Sequence, residues 1–284
     1  MNFKRVVAFA AVVALSAGLI AGCGGSKEAP KQAQPQGIEG KVTASGSTAL
    51  LPFLKAAQED FQNNNAKVTV NISGGGSFTG QNQVASGAVN IGNSDVALQD
   101  SLKDKGLVEH MLVGIPFVFI TNPNVTVDSL TEQQYGDILT GKVTNWKDFG
   151  GKDEKITILS RAKSSGSRAT IEQVVLKGKS ITDNVVIQDS NGALRSAVAG
   201  TPGAIGYVDA AYVDKTVKGL KYNGVEYSVA NATSGKYPVY TFGRMFTKGQ
   251  PTGAVKAFID YATSKEFQES YAEKNGFIPV TKMK

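Results

Sequence analysis

From residue 41 onward the chain alternates between two hydrophobic periods. Short runs that are apolar at every second position, or apolar throughout, give way to stretches whose apolar residues recur at i, i+3 and i+4. That is the pattern of strands followed by amphipathic helices. Val42 and Thr43 predict a first strand, and Leu51, Leu54, Ala57 and Phe61 predict the buried face of the helix after it. Pro52 fits that helix, because a first-turn residue needs no donated N–H. Val68, Val70 and Ile72 predict a second strand followed by a helix through Val84, and Val89 and Ile91 predict a third strand. Gly114 to Thr121 is apolar on both faces and reads as a buried strand, with Tyr237 to Phe246 a second of that kind. Between them Ile156, Ile158 and Leu159 predict a strand, and Ile171, Val174 and Val175 the helix that follows it. Val185 to Ile187, Leu194 to Val198 and Ile205 to Val208 supply further signals in the same block. After Phe246 the chain returns to helices, with Val255, Phe258, Ile259 and Ala262 on one face and residues 267–272 forming another. Such alternation predicts an α/β fold with largely parallel sheets. The two apolar strands bracket a middle block, so the expected architecture has a discontinuous first lobe, 41–120 plus 241–284, and a continuous second lobe, 121–240. Two crossing segments join them.

The polar residues between strand and helix add chemistry to this frame. Three of the turns share one composition: Ala44-Ser45-Gly46-Ser47-Thr48, Ser73-Gly74-Gly75-Gly76-Ser77-Phe78-Thr79-Gly80, and the stretch around Arg161 that runs through Ser164, Ser165, Gly166 and Ser167. A helix start carries unpaired N–H groups and partial positive charge, which suits an anion. Glycines let the backbone approach a ligand closely, and hydroxyls add adjustable neutral donors. Arg161 contributes a full charge on a planar fork that matches two oxygens of a tetrahedral oxyanion. One Ser/Gly turn beside an arginine is an ordinary helix cap; three in one chain point to a shared site. In an open α/β sheet such turns collect at the carboxyl edges of the strands, where ligands bind. Asp95, in Gly92-Asn93-Ser94-Asp95 past the third strand, reads either as a turn or N-cap aspartate or as an acceptor within an anion site.

Composition changes the picture mainly at the front. The 284 residues carry a net charge of +6, a length near which one core tends to divide into two. Residues 1–22 open with Lys4 and Arg5, continue apolar from Val6 to Ile20, and end in Ala21 and Gly22 before Cys23. This is the plan of an export signal, and the apolar run is too short to favour a spanning helix. Once Lys4 and Arg5 leave with the leader, 28 Lys and Arg face 24 Asp and Glu without a basic run, which disfavours nucleic-acid binding. Cys23 is the single cysteine, so no internal disulfide and no cysteine-type zinc site is expected. Residues 23–40 are rich in Gly, Pro, Gln, Lys and Glu, with Ile38 their one large apolar residue. They read as a flexible tether.

Taken together, Ala44-Ser45-Gly46-Ser47-Thr48-Ala49, Ser73-Gly74-Gly75-Gly76-Ser77, Asn93-Ser94-Asp95 and Arg161 followed by Ser165-Gly166-Ser167 resemble the PstS-type phosphate-binding lipoproteins of bacterial ABC importers. The resemblance runs over essentially all of 41–281 and includes Leu139-Thr140-Gly141-Lys142-Val143-Thr144-Asn145-Trp146 and Gly203-Ala204-Ile205-Gly206-Tyr207. It implies a type II periplasmic-binding-protein fold with two crossover hinge strands and the ligand in the cleft. The implied phosphate-binding residues are Ser47, Thr48, Ala49, Ser77, Asp95, Arg161, Ser165, Gly166 and Ser167. In that set Thr48 donates through side chain and backbone, Ala49 through its backbone and Ser77 through its hydroxyl. Asp95 accepts the ligand's proton, Arg161 pairs bidentately, and Ser165, Gly166 and Ser167 complete the cage. Ala49 stands where some relatives have an aromatic residue, and Ser167 where some have threonine. Ile20-Ala21-Gly22-Cys23 resembles the bacterial lipobox, which implies acylation of Cys23 and anchoring on the extracytoplasmic face of the membrane. The implied partners are inorganic phosphate and the permease and ATPase subunits of an importer, with the protein itself a monomer that needs no cofactor or metal.

Two rival readings bear on the same residues. Another tetrahedral oxyanion, such as sulfate, arsenate or molybdate, would use similar donors. A phosphate-ester hydrolase would need tools this chain lacks: there is no Gly-x-x-x-x-Gly-Lys-Ser/Thr loop and no Gly-x-Ser-x-Gly elbow. The single histidine, His110, is expected in a helical or loop segment away from every site motif, so no base is evident for a serine nucleophile. Trp146 is expected to pack in the core or on a lobe surface and not to serve as a sugar platform.

Overall fold

The structure, a computed structural model, describes residues 37–283. The expected leader, Cys23 and nearly all of the expected tether lie outside the described residues. The chain runs β1 (Gly40–Gly46), α1 (Leu51–Asn64), β2 (Val68–Gly74), α2 (Ser77–Ser86), β3 (Ile91–Ser94) and then β4 (Leu107–Thr121). It continues through β5 (Ser129–Leu130), α3 (Glu132–Leu139), β6 (Thr157–Arg161), α4 (Gly166–Val174), β7 (Val186–Gln188), α5 (Asn191–Gly200) and β8 (Ala204–Asp209). Short strands β9 (Lys218–Gly219) and β10 (Lys221–Tyr222) and helix α6 (Val229–Thr233) lead to β11 (Tyr240–Lys248) and α7 (Gly253–Thr263).

The main sheet has the order β2-β1-β3-β11-β4-β8-β6-β7, with β9 also on β4. Both flanks are parallel, as the strand–helix alternation predicts: β1 pairs with β2 and β3, and β6 with β7 and β8. The centre departs from the largely parallel expectation. β11 is antiparallel to β3 and to β4, and β4 is antiparallel to β8. The reason is topological, since the chain leaves one flank along β4 and returns along β11 in the opposite direction. β4 spans both flanks, with residues 107–116 against β11 and 117–121 against β8.

β4 begins seven residues before the apolar run that predicted it. Its first half is only partly covered, so Glu109 and His110 interrupt the apolar signal there. His110 is therefore on a strand and not in a helix or loop: it faces Met245 of β11, and its Nε2 lies 2.9 Å from Thr247 Oγ1.

On one side Phe53 of α1 meets Phe267, Tyr271 and Phe277 edge-on at 5.1, 5.8 and 5.4 Å between ring centres. On the other, Phe119 stacks on Tyr135 at 4.0 Å and Tyr135 on Tyr222 at 5.4 Å. Each fully buried ring of this kind stabilises the fold by roughly 1.5–3 kcal/mol. Of the four residues predicted as the buried face of α1, Leu54, Ala57 and Phe61 are buried, Leu51 at the first turn is only partly covered and Phe53 is buried in addition, while Trp146 is buried with its Nε1 donating to Gly203 O at 2.9 Å. Among the described residues no helix is long and apolar enough to cross a membrane.

Candidate functional site

The strand-to-helix turns converge, and their hub is Asp95, one residue past β3 and 1 % exposed. Its Oδ1 accepts a hydrogen bond from Ser47 Oγ, and its Oδ2 accepts one from Ser167 Oγ at 3.0 Å. Its backbone N–H donates to Ser77 Oγ at 2.9 Å, and its carbonyl accepts from Thr241 Oγ1 at 2.9 Å. Turns that follow β1, β2 and β6 thus meet on one residue that follows β3.

Each turn has a local reason for its shape. Ser47 folds the segment before α1 by accepting from the N–H groups of Ala49, at 3.1 Å, and Leu50, at 3.2 Å. Gly46 adopts a φ of +135°, and a Cβ there would sit 2.1 Å from Asn93 O, so only glycine lets β1 end against β3. Ser165 caps α4 by accepting from Arg168 N at 3.3 Å. Gly166 is required by close approach: a Cβ on it would lie 2.1 Å from Ser77 Oγ and 2.9 Å from Asp95 Cβ. The first turn of α4 is thereby pressed against the start of α2, and Phe78 N donates to Ser164 O at 3.2 Å across the same junction.

Arg161 ends β6 and is 2 % exposed. Two of its donors are held by backbone carbonyls at the end of β7, Nε by Gln188 O and Nη2 by Asp189 O, both at 2.9 Å. Its Nη1 is buried and has no hydrogen-bond partner among the described residues. Behind it, Tyr207 Oη accepts from Arg161 N at 3.3 Å and pairs with Ser160 Oγ at 2.8 Å, while burial pushes its own pKa up to about 12. Burial also raises the Asp95 carboxyl above its ordinary value, opposed by hydrogen bonds from Ser47 and Ser167 and by the charges of Arg161 and Arg244. Burial works on the Arg161 guanidinium in the opposite sense and lowers it.

All nine sequence-predicted residues lie in this cluster or in the turns that build it. Ser47, Ser77, Gly166 and Ser167 touch Asp95 or its contacts directly. Thr48, Ala49 and Ser165 belong to the turns, and Arg161 is close enough to act electrostatically on Asp95. The sequence reading missed five contributors. Asn191, the first residue of α5, binds Thr48 Oγ1, and Tyr212 Oη donates to Thr48 O at 2.6 Å. The carbonyls of Gln188 and Asp189 aim Arg161, and Arg244 places Nη1 3.5 Å from Asp95 O while its Nε pairs with Glu109 at 2.7 Å. Ser190-Asn191 after Val185 to Ile187 is a further polar strand-to-helix turn and so carried a signal; Arg244, in a strand, carried none. Chemically, the cluster combines several hydroxyl donors, helix starts and the Arg161 guanidinium with the buried Asp95 carboxylate, a set suited to enclosing a small oxyanion that still bears a proton.

Known proteins agree with this plan. The PBP superfamily domain matches residues 27–266. The phosphate-binding protein PstS of Bacillus subtilis is 37 % identical over 274 residues, covering 94 % of this chain and 91 % of that protein. Its counterpart in Borreliella burgdorferi is 29 % identical over 84 % of this chain and 90 % of its own. Among solved structures, a Clostridium perfringens substrate-binding protein assigned to phosphate ABC transport and crystallised with bound phosphate superposes with a TM-score of 0.81. It is 34 % identical, over 85 % of this chain and 100 % of the other. An ABC-type phosphate transport receptor from Vibrio cholerae, 24 % identical over 84 % of this chain and 99 % of its own, shares the fold with a TM-score of 0.68. These likenesses bear out the two-lobed α/β architecture expected from the sequence. By sequence and by fold, the chain belongs to the PBP superfamily and, within it, to the PstS family of solute-binding proteins.

Proposed function

We propose that this protein binds inorganic phosphate outside the cytoplasm and delivers it to the permease and ATPase subunits of an ABC importer. The observation that carries the reading is a buried Asp95 carboxylate held by the hydroxyls of Ser47 and Ser167 within electrostatic reach of Arg161, whose buried Nη1 has no hydrogen-bond partner among the described residues. A buried carboxylate among donors favours an anion that brings its own proton. Phosphate does so across the physiological range, and fully ionised sulfate does not. Ser47, Thr48, Ala49, Ser77, Asp95, Arg161, Ser165, Gly166 and Ser167 form the proposed site, with Asp95 as acceptor and the others as donors or as the close-packed turns that aim them.

The topology supports a two-lobed binding cycle. The first lobe is 41–120 plus 241–284, the second is 121–240, and β4 and β11 are the crossing strands between them. Binding closes the cleft and expels water, as expected when half-sites on two lobes converge on one small ligand. No chemistry on the ligand is proposed, because the site serines are engaged with a carboxylate and amides while His110 is bonded to Thr247. The lipobox-like Ile20-Ala21-Gly22-Cys23 supports anchoring of a monomer by acylation of Cys23 after the leader is removed.

Calorimetric titration of the ligand-free protein with phosphate, arsenate, sulfate and molybdate tests this. Phosphate binds, arsenate binds because it too retains a proton near neutral pH, and sulfate and molybdate do not. Equal binding of sulfate and phosphate would refute the role given to Asp95.

A further inference from the structure

Thr48 is gripped from a part of the chain that the nine residues above do not include. Its Oγ1 accepts from the backbone N–H of Asn191 at 3.3 Å and from Asn191 Nδ2 at 3.0 Å. Asn191 is fully buried, and its Oδ1 is in turn occupied by Asp209 N at 3.0 Å, which fixes the way the amide faces. The backbone N–H belongs to the first turn of α5, whose cap, Ser190, accepts from Ala193 N at 3.0 Å. From just past β8, Tyr212 Oη closes on the carbonyl of Thr48 at 2.6 Å.

A hydroxyl has two acceptor positions and one hydrogen. Both acceptor positions of Thr48 Oγ1 are filled by Asn191, so the hydroxyl can act toward a third group only as a donor. We infer that Asn191 is a positioning residue that holds Thr48 as an obligatory donor to the bound anion. Together with Tyr212 it also latches the turn after β1 to the start of α5. The inference rests on the phosphate reading above and deepens it. The oxygen facing Thr48 must offer it a lone pair, so the ligand's proton cannot point at Thr48 and is left for Asp95 to accept. The latch lies in a different contact from the Ser77–Gly166 junction and draws on a different strand-to-helix turn. Its loss therefore shortens the lifetime of the bound state without touching Asp95 or Arg161.

The test is a double-mutant cycle of Asn191→Ala and Thr48→Val, with phosphate affinity measured by calorimetry, dissociation by stopped flow and folding by thermal melts of the ligand-free proteins. Asn191→Ala weakens phosphate binding about tenfold, mostly through faster dissociation, the scale of one lost hydrogen bond. In the Thr48→Val background the same change alters affinity by less than about twofold, because the group through which it acts is gone. Equal losses in both backgrounds, or no loss beside Thr48, would overturn the inference while leaving phosphate binding intact. A wild type that takes no phosphate overturns both readings. Should Asn191→Ala not fold, Asn191→Asp replaces it, since it keeps an oxygen for Asp209 N–H and exchanges the Nδ2 donor for an acceptor. The Thr48 hydrogen then turns away from the ligand, and binding falls by about a hundredfold. Wild-type affinity in that variant sinks the proposal.

Discussion

Replacing Asp95 with asparagine separates recognition of the ligand's proton from recognition of its size. In the wild type each carboxylate oxygen accepts one serine hydroxyl, Ser47 on Oδ1 and Ser167 on Oδ2. Of the roughly four acceptor positions of a carboxylate, about two remain. A phosphate that retains a proton fills one of them. Sulfate has no proton to give, so it loses a charge-assisted hydrogen bond of about 1.5–3 kcal/mol, or one to two decades of affinity. Its charge is also pressed on a like charge at 1 % exposure, and that repulsion adds to the discrimination. In Asp95→Asn the amide oxygen keeps one serine donor, while the other serine rotates to accept from Nδ2. The second amide hydrogen is then free for an unprotonated ligand oxygen. Phosphate binding survives, and the phosphate-to-sulfate preference narrows by one to two decades. Competitive titration of wild type and variant with both anions at fixed pH and salt reads this directly. A variant that excludes sulfate as completely as the wild type would show that Asp95 is not the discriminator.

Other outcomes follow from single contacts. Arg161→Met removes a buried charge whose Nη1 has no partner among the described residues and should cost about 3–5 kcal/mol of phosphate binding, some two to three and a half decades, with the ligand-free fold retained by circular dichroism; undiminished binding would move the site elsewhere. Gly166→Ala places a Cβ 2.1 Å from Ser77 Oγ and holds the turns apart. Small-angle scattering should therefore show phosphate-induced compaction in the wild type and none in the variant. The buried Asp209, whose Oδ2 has no partner among the described residues, has a pKa raised well above 3.8 by burial. Its folded form retains a proton that the unfolded chain releases, so its presence lowers stability as pH rises through the unfolded value and up to the folded one. Asp209→Asn accordingly melts higher than the wild type at neutral pH, with the gap closing below the unfolded value; a gap that does not change with pH would contradict this.

The periodicity of the chain carried the α/β class and nearly every element near the site, because a strand or helix with one buried face writes that face into its own residues. Ser47, Ser77, Ser165 and Gly166 were legible for a similar reason, since the turn chemistry that starts a helix is local. Three such turns in one chain pointed to a common ligand before any geometry was known. The antiparallel centre of the sheet was not legible, because strand direction depends on how the chain crosses between flanks and not on any residue within β4 or β11. Nor were the partners of Arg161 and Thr48. The carbonyls of Gln188 and Asp189 are backbone atoms that any residue would supply, and Asn191 and Tyr212 stand 143 and 164 positions from Thr48. Arg244 reaches the carbonyl of Asp95 from a bulge in β11 between Gly243 and Arg244. The sequence by itself determined which groups could donate to or accept from an oxyanion. Only the tertiary structure decided which way those groups point, because a hydroxyl or guanidinium acquires its direction from the bonds already made to its other valences, and those bonds come from distant chain.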